Sequence, residues 1–314
     1  MYCSLQHAFP EKDITATSQT VATTAPILAQ RFEWQTWILI VTIYGGWLAT
    51  VLTWHQLGPY LGTPLLIVFT CWYMSLQHEL IHGHPTRHAR INAALGTAPL
   101  AIWYPYPVYR DSHLAHHHDE QLTLPGVDPE SYYLPPSSQT GWRFSLARWC
   151  NTTPGRLLLG PLLGWMATLR SAWHTADRLT ASSWLSHFLL VAALLYGVWL
   201  AGIHPLYYLL AIAYPALGLA MVRSFYEHRA ASDSTARSVI NEAALPWRML
   251  FLNLNYHLVH HRHPGLPWYQ LRAHYLEHRD HYLLLCDGFH ETGYLRQLWR
   301  HRQQPVIATF HPFA

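Results

Sequence analysis

Apolar positions along the chain gather into a few long runs, separated by stretches in which histidine, arginine and acidic residues crowd together. The run over 34–54 and the next over 60–76 are each long enough to cross a bilayer as a helix, with a short turn at 55–59 between them. Two more spans, over 184–203 and 205–222, are joined by a His204-Pro205 turn flanked by Tyr207 and Tyr208. Trp72 and Tyr73, near the end of the second run, are of the type that settles at headgroup level. Two further apolar stretches, 92–109 and 156–173, are broken by Pro or Gly and read as interfacial or re-entrant segments whose backbone is covered by protein. Residues 1–33 are polar and irregular, Thr/Ser/Ala-rich around 15–24, and read as a mobile tail. The first apolar run starts too far from Met1, and is too long, for the core of a cleaved signal peptide. The pattern predicts an all-α integral membrane protein in which 34–314 forms one domain, with four spans and with 77–183 and 223–314 lying outside them.

Composition agrees with that class. The 314 residues are 51% hydrophobic and only 12% charged, with 15 Trp and 19 Tyr. Charge placement sharpens the topology. With four spans, all 20 Lys and Arg, and all 17 Asp and Glu, fall on one side of the membrane, while the two opposite turns carry none. The positive-inside bias puts that side in the cytoplasm, together with both termini. Four scattered cysteines (Cys3, Cys71, Cys150, Cys286) suggest neither a disulfide framework nor a thiolate metal site.

Eight of the 24 histidines fall in three clusters on that same side: His78-Glu79-Leu80-Ile81-His82, His113-Leu114-Ala115-His116-His117 and His257-Leu258-Val259-His260-His261. Histidines four apart lie on one helix face, about 5–6 Å apart at Cβ, a spacing that suits one metal ion or the bridging of two. In a His-x2-His-His string the outer pair shares a face and the middle residue turns to a neighbouring one, so each string can feed two metals. Eight imidazoles (His78, His82, His113, His116, His117, His257, His260, His261) exceed the needs of one tetrahedral zinc and fit two metals of higher coordination. Imidazole suits iron, zinc, copper and nickel alike. His84, His118 and His263 stand at the cluster edges. Glu79, Asp111, Asp119 and Glu227 are candidate acceptors for imidazole N–H groups. Asp128-Pro129-Glu130 lies in a polar loop after the second cluster, where it either caps the site or turns the chain.

The order HELIH, HLAHH, HLVHH, with two hydrophobic helices before the first cluster and two more between the second and third, resembles the membrane fatty acid desaturase and hydroxylase superfamily over roughly 34–285. That resemblance implies a four-helix stem under a cytoplasmic helical cap, built from 77–183 and 223–314, with two Fe ions held by histidines, O2 as co-substrate and C–H activation. It also implies a ninth ligand between the last span and the third cluster, for which His228 is the best match. Related acyl-CoA desaturases carry Asn four residues before that His; this chain has Ser224, with Asn253 and Asn255 as possible substitutes. The expected reaction is introduction of a C=C bond into a fatty acyl chain drawn from membrane lipid. Hydroxylation or ketone formation on a lipid or small apolar metabolite is the nearest alternative. Nucleic acid is not an expected partner, and the compact chain suggests a bacterial inner membrane.

His78-Glu79-Leu80-Ile81-His82 also matches the HExxH zinc protease motif, with Glu79 as general base and Asp287-Gly288 as a possible further element. That reading leaves two histidine strings without a role. A metal transporter would need polar groups within the spans, which are almost free of them. His263-Pro264-Gly265-Leu266 superficially resembles a haem-binding HPGG, yet it abuts the third cluster, and neither an iron–sulfur cysteine set nor a Gly-rich dinucleotide loop is present. Electrons are therefore expected from an external ferredoxin or cytochrome b5-type donor. Purified protein given NADPH and O2 alone should not turn over; turnover without an added donor would contradict this.

Overall fold

The computed structural model describes residues 32–118, 120–134, 141–175 and 178–313. The tail expected over 1–33 lies outside the described residues as far as residue 31. Glu33, assigned to it from sequence, is buried; its carboxylate accepts from Thr36 and lies 2.7 Å from His84 Nδ1.

Four of the described helices are long and apolar enough to cross a membrane: α1 (Trp34–Leu52), α2 (Trp54–Ile81), α7 (Arg178–Leu200) and α8 (Pro205–Ser224), the last with a π-helical turn over Tyr208–Ala213. The turn expected at 55–59 is instead a kink inside α2. Gly58 takes φ 64°, a left-handed conformation that glycine tolerates best, and Pro59 restarts the helix. From there α2 does not stop at residue 76. It runs on without a break to Ile81, so the helix that forms the second span also carries the first histidine cluster. Close approach of α1 and α2 depends on Gly46, where a Cβ would lie 2.2 Å from the Phe69 ring. Trp47 meets Tyr208 edge-on at 6.2 Å, and the Thr63 and Tyr207 hydroxyls lie 2.7 Å apart, which ties α8 to this pair.

Neither interrupted stretch becomes a span. The first forms α3 (Ala89–Gly96), a loop over 97–105 and the start of α4 (Tyr106–His116), which opens on Pro105 and Pro107. The loop holds Leu100, Ala101 and Trp103 buried, so its carbonyls must be satisfied without water. Side chains of the spans do this. The Tyr73 hydroxyl reaches both Gly96 O (2.6 Å) and Ala98 O, Gln77 donates to Gly96 O, Tyr208 to Leu100 O, and His187 Nε2 to Ile102 O. The second stretch lies within α6 (Thr153–Thr175), which follows α5 (Trp142–Cys150) and crosses α8 where the Tyr214 hydroxyl donates to Leu158 O. Its length suffices to span, but its composition does not, and Leu158, Leu162, Met166 and Trp173 stay exposed.

The remainder of the cap consists of α9 (Leu245–Leu250), α10 (His257–Arg262), α11 (Trp268–Glu277), α12 (Arg279–Leu285) and α13 (Tyr294–Arg300). A two-residue parallel pair joins β1 (Ile240–Asn241) to β2 (His290–Glu291), with Ile240 opposite His290. Val239, Ile240, Leu254, Val259, Tyr275 and Phe289 pack as a second core beneath α10.

Tyr73→Phe strips the Ala98 carbonyl of its donor one to two turns before the first cluster. That carbonyl is half-buried, so the loss costs less than the about 1–3 kcal/mol of a fully buried unpaired group. The thermal midpoint in detergent should therefore fall measurably; an unchanged midpoint would show that the loop does not depend on this hydroxyl.

Candidate metal centre

Each histidine cluster sits where its local helix places it. His78 occupies the last turn of α2 and His82 its C-cap; His113 and His116 close α4, with His117 as its C-cap. Both helices thus direct their carbonyl ends, the negative pole of the helix dipole, towards the same volume. The short α10 presents His257, His260 and His261 from the other side, and His228 arrives just after α8.

Their donor nitrogens converge into two groups. His78, His82, His113, His117 and His260 form one; His116, His228, His257 and His261 form the other, and within each group the donor atoms lie within 4.8 Å of one another. Helical spacing explains the division. His113 and His117 share a face towards the first group while His116 turns to the second; His257 and His261 share a face towards the second while His260 turns to the first. Both strings therefore serve both groups. The Nε2–Nε2 separations are 3.1 Å for His82–His113, 3.0 Å for His113–His117, 3.1 Å for His117–His260, 2.9 Å for His116–His228, 2.9 Å for His228–His257 and 3.2 Å for His257–His261.

Such an array fits cations and little else. His113 Nδ1 lies 3.1 Å from Glu130 Oε1 and His116 Nδ1 lies 2.8 Å from Asp128 Oδ1, so each carries a proton there and turns Nε2 to the other imidazoles. His113 Nε2 then faces two more imidazole nitrogens. His78 is fully buried and neither of its nitrogens has a hydrogen-bond partner among the described residues, an arrangement that is costly unless something else takes a lone pair. Five and four nitrogens suit two separate ions.

The sequence model of the fatty acid desaturase family matches residues 56–292, which takes in three of the four spans (α2 from Gln56 on, α7 and α8) and every one of these histidines. The chain belongs to the fatty acid desaturase family. No curated protein matches it. Family membership places the chain among membrane oxidoreductases of the desaturase and hydroxylase type, with histidine groups compatible with a metal site.

The carboxylates that orient the imidazoles of this desaturase-family site are mostly not those nearest in sequence. Glu227 Oε1 stands 3.4 Å from His257 Nδ1 without hydrogen-bond alignment, and it accepts from Arg223 at 2.9 Å. Glu79 follows His78 by one residue and so points off the cluster's face; its Oε2 accepts from the Trp268 N–H at 3.0 Å and anchors α11. Asp111 precedes His113 by two and lies largely exposed, paired with Arg110. Asn255 donates to Asn241 O and touches none of the nine. Asp119 lies outside the described residues. The acceptors in contact are Asp128 and Glu130, from the loop after the second cluster, and Ser238, whose Oγ is 3.2 Å from His228 Nδ1. The Asp-Pro-Glu loop was visible in sequence; Ser238 had no signal. Ser224 lines a small cavity with Glu130, Ser131, Tyr132, Glu227 and His228.

Burial holds most of the imidazoles outside the spans neutral. His82, His117, His228, His257 and His260 are pushed down first by desolvation and then by the imidazoles around them. Burial also lowers His113, partly offset by Glu130. His116 goes the other way: burial lowers it, but Glu130, Asp128 and Glu227 outweigh that and raise it to about 9. Burial lifts Glu227 to about 7 against the pull of Arg223.

An unfolded histidine takes up its proton near pH 6.5, and the six lowered imidazoles resist doing so. Their contribution to stability is therefore present above about pH 6.5 and is lost as the pH falls below it. His116 contributes in the opposite sense, fully present below about 6.5, and is outnumbered. The thermal midpoint of metal-free protein should drop between about pH 7 and about pH 5; a flat or rising midpoint would contradict a buried neutral cluster.

Proposed function

We propose that this chain is an O2-dependent membrane di-iron desaturase that introduces a C=C bond into a fatty acyl chain. The observation that carries the reading is the division of nine imidazoles into two adjoining groups, carried by the end of one membrane-spanning helix, the segment after another and two short helices, in a fatty acid desaturase family chain. His78, His82, His113, His117 and His260 would hold one iron, and His116, His228, His257 and His261 the other. Bound there, two irons would supply an oxidant derived from O2 that is strong enough to take hydrogen from an unactivated methylene.

The chain's own residues do the positioning. Asp128 and Glu130 hold the tautomers of His116 and His113, so that Nε2 is the donor atom at both. Burial of His78, His113, His116, His257 and His260 keeps bulk water from the centre. Tyr104 stacks near Tyr109 (5.2 Å between centroids), and Tyr109 near His113 (5.8 Å), giving an aromatic path from the buried loop towards the first group. A lipid-phase chain would approach along it. The reaction removes two hydrogens from adjacent carbons and reduces O2 to two waters, which needs two electrons and two protons beyond those of the substrate. A ferredoxin or cytochrome b5-type donor docking on a cytoplasmic cap, in a bacterial inner membrane, would deliver the electrons.

The zinc protease reading gains nothing from the geometry. Its general base would have to be Glu79, whose carboxylate is turned to the Trp268 amide rather than to His78 and His82.

The test is mass spectrometry of total lipids from aerobic cells expressing the chain or its His261→Ala variant. A product lighter than its parent by two hydrogens, absent in the variant, is expected. A product heavier by one oxygen would replace desaturation with hydroxylation. Equal product from the variant would remove His261 from the centre.

A further inference from the structure

Beyond the nine, one more histidine cluster among the described residues brings donors together. His274 and Glu277 lie in the last turn of α11, and His278 is the residue between α11 and α12. A ring nitrogen from each histidine and a carboxylate oxygen of Glu277 lie within 4.8 Å of one another. The rings of His274 and His278 are 4.6 Å apart at an angle of 36°, and the His263 ring stands 4.7 Å from His274. His263 ends α10 and is exposed, so the cluster opens to solvent.

Two details set the donors in place. His278 Nδ1 lies 3.1 Å from the His274 carbonyl oxygen. A carbonyl only accepts, so Nδ1 carries the hydrogen and Nε2 keeps the lone pair. His274 Nε2 is held 3.0 Å from the hydroxyl of Tyr282, a residue buried in the core of the cap. Donor atoms around a tetrahedral zinc stand about 3.3 Å apart when the bonds are about 2.0–2.1 Å. Small rotations of the exposed Glu277 side chain and of His278 would close the cluster to that size.

We propose that His274, Glu277 and His278, with His263 as an additional donor within reach, form a solvent-facing site for one first-row divalent cation of the zinc type, separate from the nine-histidine centre. Two imidazoles among three donors select such a cation over calcium or magnesium, which take oxygen ligands. The site spans the end of α10, the last turn of α11 and the start of α12. A bound ion would pin the segment immediately after the third histidine cluster, whose other end is already anchored by the Trp268 to Glu79 contact.

The test is calorimetric titration of Zn2+ into untagged, iron-loaded protein in detergent, with His274→Ala and His278→Ala alongside and iron content measured in each. One Zn2+ should bind the unaltered chain, and each variant should bind it at least tenfold more weakly with its iron content unchanged. His278→Ala removes a ring whose hydrogen bond is to the backbone alone, so that variant is read independently of the Tyr282 contact that His274→Ala disturbs. Absence of Zn2+ binding to the unaltered chain, equal affinity and stoichiometry in His278→Ala, or equally tight binding of Ca2+ would each overturn the assignment.

Discussion

Nine imidazoles confined to one water-poor volume cannot satisfy each other. A ring has only two nitrogens, and the fold commits Nδ1 of His113 and of His116 outward to Glu130 and Asp128, which leaves their Nε2 atoms facing those of their neighbours. Much of the cap serves that confinement. The ends of α2 and α4 aim their carbonyl poles into the space, α10 closes it from the opposite side, and the core around Val259 and Tyr275 supports α10 from behind. The energetic cost of so much unpaired polar surface is offset when cations occupy it, so metal binding and cap folding become one equilibrium.

The stem is coupled to the site through shared pieces rather than mere proximity. Because α2 continues from the membrane into the first cluster, any tilt of the span moves His78 and His82. The loop over 97–105 is held by Tyr73, Gln77, Tyr208 and His187, all from spanning helices, and it delivers the chain directly into α4 and the second cluster. The fold thereby fixes two of the three clusters relative to the spanning helices, as the proposed lipid-phase substrate would require.

What could be seen in the sequence follows physical range. Four spans stood out because hydrophobic length is a local property, and the division of each His-x2-His-His string between two faces follows from the helical period. Other features depend on contacts that no local pattern encodes. Glu79 and Asp111 looked like partners because they adjoin histidines, yet a residue one or two positions away points off the face, and the partners in contact, Asp128 and Glu130, come from a loop twelve or more residues downstream. Glu33 appeared to belong to the tail, and only the fold brings it to His84. The unbroken course of α2 was hidden by the polar residues that begin its last turns.

The central claim is that the two histidine groups hold two irons. Iron determination on protein from iron-replete cells, with Mössbauer spectroscopy on the same samples, tests it most directly. The account predicts about two irons per unaltered chain, and about one in His78→Ala or in His257→Ala, each variant sparing the other group. One zinc and no iron, or full iron content in both variants, would contradict it.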